Sequence, residues 1–129
     1  PDGEMGQVVG YARAAFAKAP LPRENFSEIV AVAGTPTTLA AVEQHREFEE
    51  KLVHGFKLKL PVIEKWISQM KTMTVDQREA LPGMQPKRAD VIVTGSVILA
   101  EAMRALGREE ATVSTRGVRY GAALAWQEF

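Results

Sequence analysis

A chain of 129 residues, 46% hydrophobic and 25% charged, has room for one domain with a modest core and is neither a disordered polyelectrolyte nor a membrane-embedded protein. Sixteen basic residues offset sixteen acidic ones, so no global field draws the chain to nucleic acid or to an anionic membrane, and a polyanionic ligand requires a local basic patch. With no cysteine, disulfides, thiolate metal sites and cysteine nucleophiles are excluded together. The apolar runs are too short to cross a bilayer and the first residues lack the order of a signal peptide, so the cytoplasm is the expected compartment.

Met5, Val8, Val9, Ala12, Phe16 and Ala19 recur at helical spacing, which predicts an amphipathic helix over residues 4–19 with Arg13 and Lys18 facing elsewhere. Pro20 and Pro22 end it, and Arg23 to Ser27 lead into a strand. That strand is a short apolar run over residues 29–33, rich enough in β-branched residues to be covered on both faces, as in a parallel sheet. Gly34 breaks it, and Pro36 suits the first turn of a helix running to about Gln44. Residues 43–51 are densely charged and read as a solvated helix face or loop. Phe56, Leu58 and Leu60 then alternate with Lys57 and Lys59, the pattern of a half-buried strand.

Pro61 opens the next helix, whose apolar stripe is Val62, Ile63, Trp66, Ile67 and Met70, so Trp66 is read as core. Thr74 with Gln77 predicts a capping box and a short helix to about Leu81, stopped by Pro82 and Gly83. A single long helix is expected over residues 87–106, mostly buried, with Asp90, Thr94, Glu101, Arg104 and Arg108 as its polar stripe. Gly95 inside it points to a close backbone neighbour, with packing the favoured reason. Gly107 caps it, residues 111–114 form a second buried strand, and a last helix runs through Trp126. Two buried strands joined by a long helical crossover imply a parallel pair, too small a sheet to stand alone. The chain therefore reads as part of a larger α/β domain, or as one that completes its sheet in a homodimer.

The chemistry concentrates at the glycine-threonine turn. Gly34 permits a positive φ or a close ligand approach, Thr35, Thr37 and Thr38 offer hydroxyls and amides, and a helix N-terminus attracts anions such as phosphate. A well-capped structural turn is the alternative, because the segment matches neither a P-loop nor the dinucleotide fingerprint. His54, followed by glycine at a strand start, either faces a cleft or is satisfied within its loop. Lys87 and Arg88 with Arg116 and Arg119 are candidates for the local basic patch, with structural pairing, for instance Arg88 to Asp90, as the competing role. His45 is expected to be exposed. The carboxylates Glu47, Glu49 and Glu50 are assigned no metal, and the segment is expected to contain no catalytic residue.

Five motifs in order raise a family resemblance: Ala33-Gly34-Thr35-Pro36-Thr37-Thr38-Leu39-Ala40-Ala41, Val53-His54-Gly55, Leu81-Pro82-Gly83, Lys87-Arg88-Ala89-Asp90-Val91-Ile92, and Val113-Ser114-Thr115-Arg116-Gly117-Val118-Arg119-Tyr120-Gly121. Together they resemble the exopolyphosphatase and guanosine pentaphosphate phosphohydrolase (Ppx/GppA) family, within the actin-like ATPase superfamily. The resemblance implies an α/β fold with short parallel strands covered by helices: the C-terminal part of the second ribonuclease H-like domain of a two-domain phosphatase core. It also implies polyphosphate or a guanosine nucleotide as ligand and the remainder of the phosphatase chain as partner, with the Gly34 loop and its Thr35, Thr37 and Thr38 on the nucleotide side and the helix from Lys87 and the turn at Arg116 as its buttress. Family members cleave terminal phosphate with water, a catalytic glutamate and a magnesium ion. The two loops that hold the metal, Asp-x-Gly-Ser and Asp-x-Gly-Gly-Gly-Ser/Thr, and the segment carrying the glutamate have no match in this sequence. Thr115 stands where the family usually has aspartate, and Tyr120 where it often has glutamate. A sequence opening on Pro1 is read as an excised or processed piece, inactive by itself. A non-catalytic phosphate-binding or assembly module is the second reading.

Overall fold

The structure, a computed structural model, describes residues 2–22 and 25–126. Arg23, part of the expected approach to the first strand, lies outside the described residues. The chain begins with α1 (Asp2–Lys18), followed by β1 (Ile29–Val32), α2 (Gly34–Glu43), a helical turn α3 (Glu50–Val53), β2 (Lys57–Lys59) and α4 (Leu60–Met70). After these come α5 (Val75–Glu79), a 3-10 turn at Pro86–Arg88, α6 (Ile92–Ala105), β3 (Glu110–Ser114) and α7 (Val118–Trp126).

The last strand in sequence is the middle strand in space, the order being β1-β3-β2. β3 runs parallel to β1, with Ile29 opposite Ala111 and Val32 opposite Ser114, and antiparallel to β2, with Leu58 opposite Ala111. The expectation of parallel strands alone is therefore corrected to a mixed sheet. The alternating Phe56–Leu60 segment supplies the extra strand; the Gly55 N–H donates to Val113 O at 2.7 Å and the Val113 N–H to Phe56 O at 2.8 Å, which carries the pairing past the end of β2.

Among the described residues, helices cover one face of this sheet and leave the other open. α2 and α4 lie against the strands, α6 packs on both, and α1 packs on α6. The inner row of the sheet, Ala31, Ala111, Val113 and Leu58, joins Leu39, Ile63, Met70, Ile92 and Met103 in the core. Burial of each large side chain contributes roughly 1.5–3 kcal/mol. The outer row is open. Val30 and Val32 are 53% and 41% exposed, so β1 is not covered on both faces as its composition suggested. On that outer face Thr112 accepts from Lys57 Nζ at 2.6 Å and donates to Glu28 at 2.9 Å.

Several local readings hold. Ile63, Trp66 and Met70 are the buried stripe of α4. Thr74 and Gln77 form the capping box in both directions, at 3.2 and 2.9 Å, although α5 ends at Glu79. Gly95 is a packing residue: a Cβ there would collide with the Thr35 side chain, so the glycine lets the start of α2 approach α6. The long helix over residues 87–106 is corrected, because the 3-10 turn at Pro86–Arg88 precedes an α-helix that begins only at Ile92. Glu101, on the predicted polar stripe, is 3% exposed, held by Arg13 from α1 at 3.0 and 3.1 Å and by Arg104 at 2.7 Å. Arg104 also reaches Glu64 on α4. Arg13, read as facing away, thus ties α1 to α6. Within the charged stretch Glu43 is likewise engaged, accepting from Trp66 Nε1 and from Lys65 Nζ.

Candidate anion cleft

Because β1 and β3 are parallel neighbours, the turns that leave their carboxyl ends emerge side by side, the position where open α/β sheets place their ligands. One turn leads into α2 and the other into α7. Between them lies a cleft of about 790 Å³. The first turn lines it with Val32, Ala33, Gly34 and Thr37; the second contributes Thr115 and Gly117 to Tyr120. Phe48, Gln85 and Arg88 close the remaining side. None of the described lining residues carries a carboxylate.

The β1–α2 turn is unusual at Ala33, not at Gly34. Ala33 precedes the helix at φ 79° and ψ −166°, a backbone region that glycine occupies freely and alanine does not. Of the two roles open to Gly34, positive φ or close approach, the structure shows no positive φ there. Gly34 is needed for close approach, since a Cβ on it would collide with the guanidinium of Arg88. The amides at the start of α2 lack intrahelical acceptors and no side chain caps them. Thr37 lines the cleft, but its hydroxyl donates to Ala33 O at 2.9 Å and to Gly34 O at 3.2 Å, stabilising the turn. Thr35 packs against Gly95, and Thr38 is fully buried in the core. Of the three threonines, only Thr37 therefore reaches the cleft.

Arg88 reaches the cleft from the 3-10 turn, with its guanidinium over Gly34 and no ion pair, to Asp90 or to any other described carboxylate. Arg119 enters from the first turn of α7, also without a described ionic partner. Lys87 and Arg116 are exposed and are not among the lining residues; Arg116 lies 5.2 Å from the ring centre of Tyr120. His54 is also set apart from the lining. Its Nδ1 accepts the Thr115 N–H at 3.1 Å, which ties the start of β2 to the end of β3. The Thr115 hydroxyl lies 3.2 Å from Glu50. Sequence reading passed over Phe48 and Gln85, which line the cleft. Phe48 is the one aromatic residue in a charged stretch, and that contrast was the available signal.

Residues 8–128 match the model of the Ppx/GppA phosphatase family. The chain belongs to this family. Exopolyphosphatase 2 of Mycobacterium tuberculosis is 33% identical over 109 residues, covering 81% of this chain and 34% of the relative. A bifunctional 3-dehydroquinate synthase/phosphatase of Fusobacterium nucleatum is 33% identical over 101 residues, covering 78% of this chain and 15% of its own. The crystal structure of the Aquifex aeolicus Ppx/GppA family member superposes with a TM-score of 0.90 at 25% identity, over 99% of this chain and 42% of that one. The chain thus spans about a third or less of the length of these curated relatives, and its mixed α/β fold is that of the Ppx/GppA proteins.

Proposed function

We propose that this chain forms one wall of the substrate cleft of a phosphoric anhydride hydrolase that releases terminal phosphate from inorganic polyphosphate or guanosine pentaphosphate. The observation that carries this reading is the juxtaposition of Arg88, over Gly34, with Arg119 in a cleft whose described lining has no carboxylate. Cations without carboxylate partners favour a polyanion, and arginine suits phosphate oxygens by its forked geometry. In this reading the chain corresponds to the C-terminal part of a ribonuclease H-like domain. The remainder of the phosphatase chain would cover the outer face of the sheet and the apolar residues of α7, where Val118 and Trp126 are 87% and 80% exposed.

Phosphoryl transfer depends on positioning and charge neutralisation from both sides of the reacting phosphate. This sequence supplies cations on one side and contains neither metal-holding loop. Among the described residues no three His, Asp or Glu side chains form a group that could hold a metal ion. Their part is to bind and orient the anion. The test is release of inorganic phosphate from polyphosphate with magnesium: this chain alone is expected to give none, and turnover would refute the proposal. The second reading, a phosphate-binding module without catalysis, draws on the same cleft. It gains if a parent chain carrying both missing loops also fails to hydrolyse polyphosphate and guanosine pentaphosphate.

A further inference from the structure

Two aromatic side chains share the cleft with the arginines. Phe48 is 43% exposed and Tyr120 47%, and both line the cleft. A bare phosphate chain has no use for such a lining, because it holds its hydration and is recognised by cations and amides alone. An anion that also carries an aromatic ring does have a use for it. Its ring stacks on a side-chain ring while its phosphates meet the guanidinium groups.

Given the anion cleft proposed above, we infer that Phe48 and Tyr120 are specificity-determining residues, selecting a ring-bearing phosphate ester such as a purine nucleoside triphosphate over an inorganic phosphate chain of the same length. Tyr120 lies in the first turn of α7, beside Arg119, which also lines the cleft, so ring and charge are delivered by one helical turn. The Arg116 guanidinium 5.2 Å from the Tyr120 ring centre restrains that ring.

Calorimetric titration of this chain with GTP and with inorganic tripolyphosphate, at equal ionic strength, separates the ring from the phosphates. Tripolyphosphate is the more densely charged of the two, so electrostatics alone favours it. The unmodified chain is expected to bind GTP about tenfold more tightly, the order of one base stacked on an aromatic side chain. Tyr120→Ala and Phe48→Ala are expected to erase that margin and leave tripolyphosphate affinity unchanged, while Tyr120→Phe keeps it. Both side chains are half exposed, and circular dichroism checks that the variants fold. Equal affinity of the unmodified chain for the two ligands, or equal losses for both in the alanine variants, would overturn the specificity assignment and leave the anion cleft standing. Binding of neither ligand would overturn both.

Discussion

At Ala33 the backbone sits at φ 79° and ψ −166°, a strained geometry for any residue with a Cβ, and the strand–helix junction around it keeps it there. Ala33→Gly is expected to raise stability by about 1 kcal/mol, read as a higher denaturant midpoint, because released strain exceeds the added chain entropy of glycine. Gly34→Ala acts differently. The nearest obstacle is the flexible end of Arg88, so the fold should persist while the guanidinium is displaced, and affinity for tripolyphosphate should fall several-fold in calorimetry. At Gly83 the obstacles are backbone atoms. A Cβ there, at φ 92°, would stand 2.6 Å from the Ala41 carbonyl carbon and 2.7 Å from Arg46 O, so Gly83→Ala should cost about 2–4 kcal/mol in denaturant unfolding. Sequence alone marked Gly34 as special and gave no sign that the strain would fall on the alanine before it. A glycine required for close approach and one required for positive φ look the same in a sequence.

Among the elements, α1 depends on one ionic junction in addition to its apolar stripe. The Arg13 hydrogen bond is the chief cause that holds the Glu101 carboxyl below the ordinary glutamate value of 4.5, with burial opposing it and Arg104 assisting. The Glu43 carboxyl is also held low: burial pushes it up, but hydrogen bonds from Lys65 and Trp66 prevail. A carboxyl whose folded pKa is depressed stabilises the fold above its unfolded value and loses that contribution as pH falls through the folded one. Stability is therefore expected to be level above about pH 5 and to decline in acid, from about 4.5 downward. Glu101→Gln should flatten part of that decline and cost about 1–3 kcal/mol at neutral pH, both measured by urea unfolding across pH. Helices with a clear period, such as the Ile63, Trp66 and Met70 stripe, were legible in the sequence because spacing alone sets their buried face. The start of α6 was not: the helical spacing reaches back to Ala89, while Pro86–Arg88 form a 3-10 turn that spacing does not reveal.

For the molecule as a whole, strand order decides where the chemistry can occur. The β1–α2 and β3–α7 turns are about eighty residues apart in sequence and become neighbours only because β3 inserts beside β1. Motif content announced both turns. It could not announce that Arg119 and Tyr120 share a cleft with Gly34 and that His54 does not, since strand pairing decides this. The one-sided sheet has the same origin: β1 is apolar enough to be covered twice, but the described helices reach only its inner face. Calorimetric titration with inorganic tripolyphosphate, comparing the unmodified chain with Arg88→Ala, tests the anion cleft most directly. The expected result is binding that weakens steeply with salt and falls about tenfold in the variant, the order of one lost charge-assisted contact. Affinity unchanged by the loss of Arg88 would contradict it.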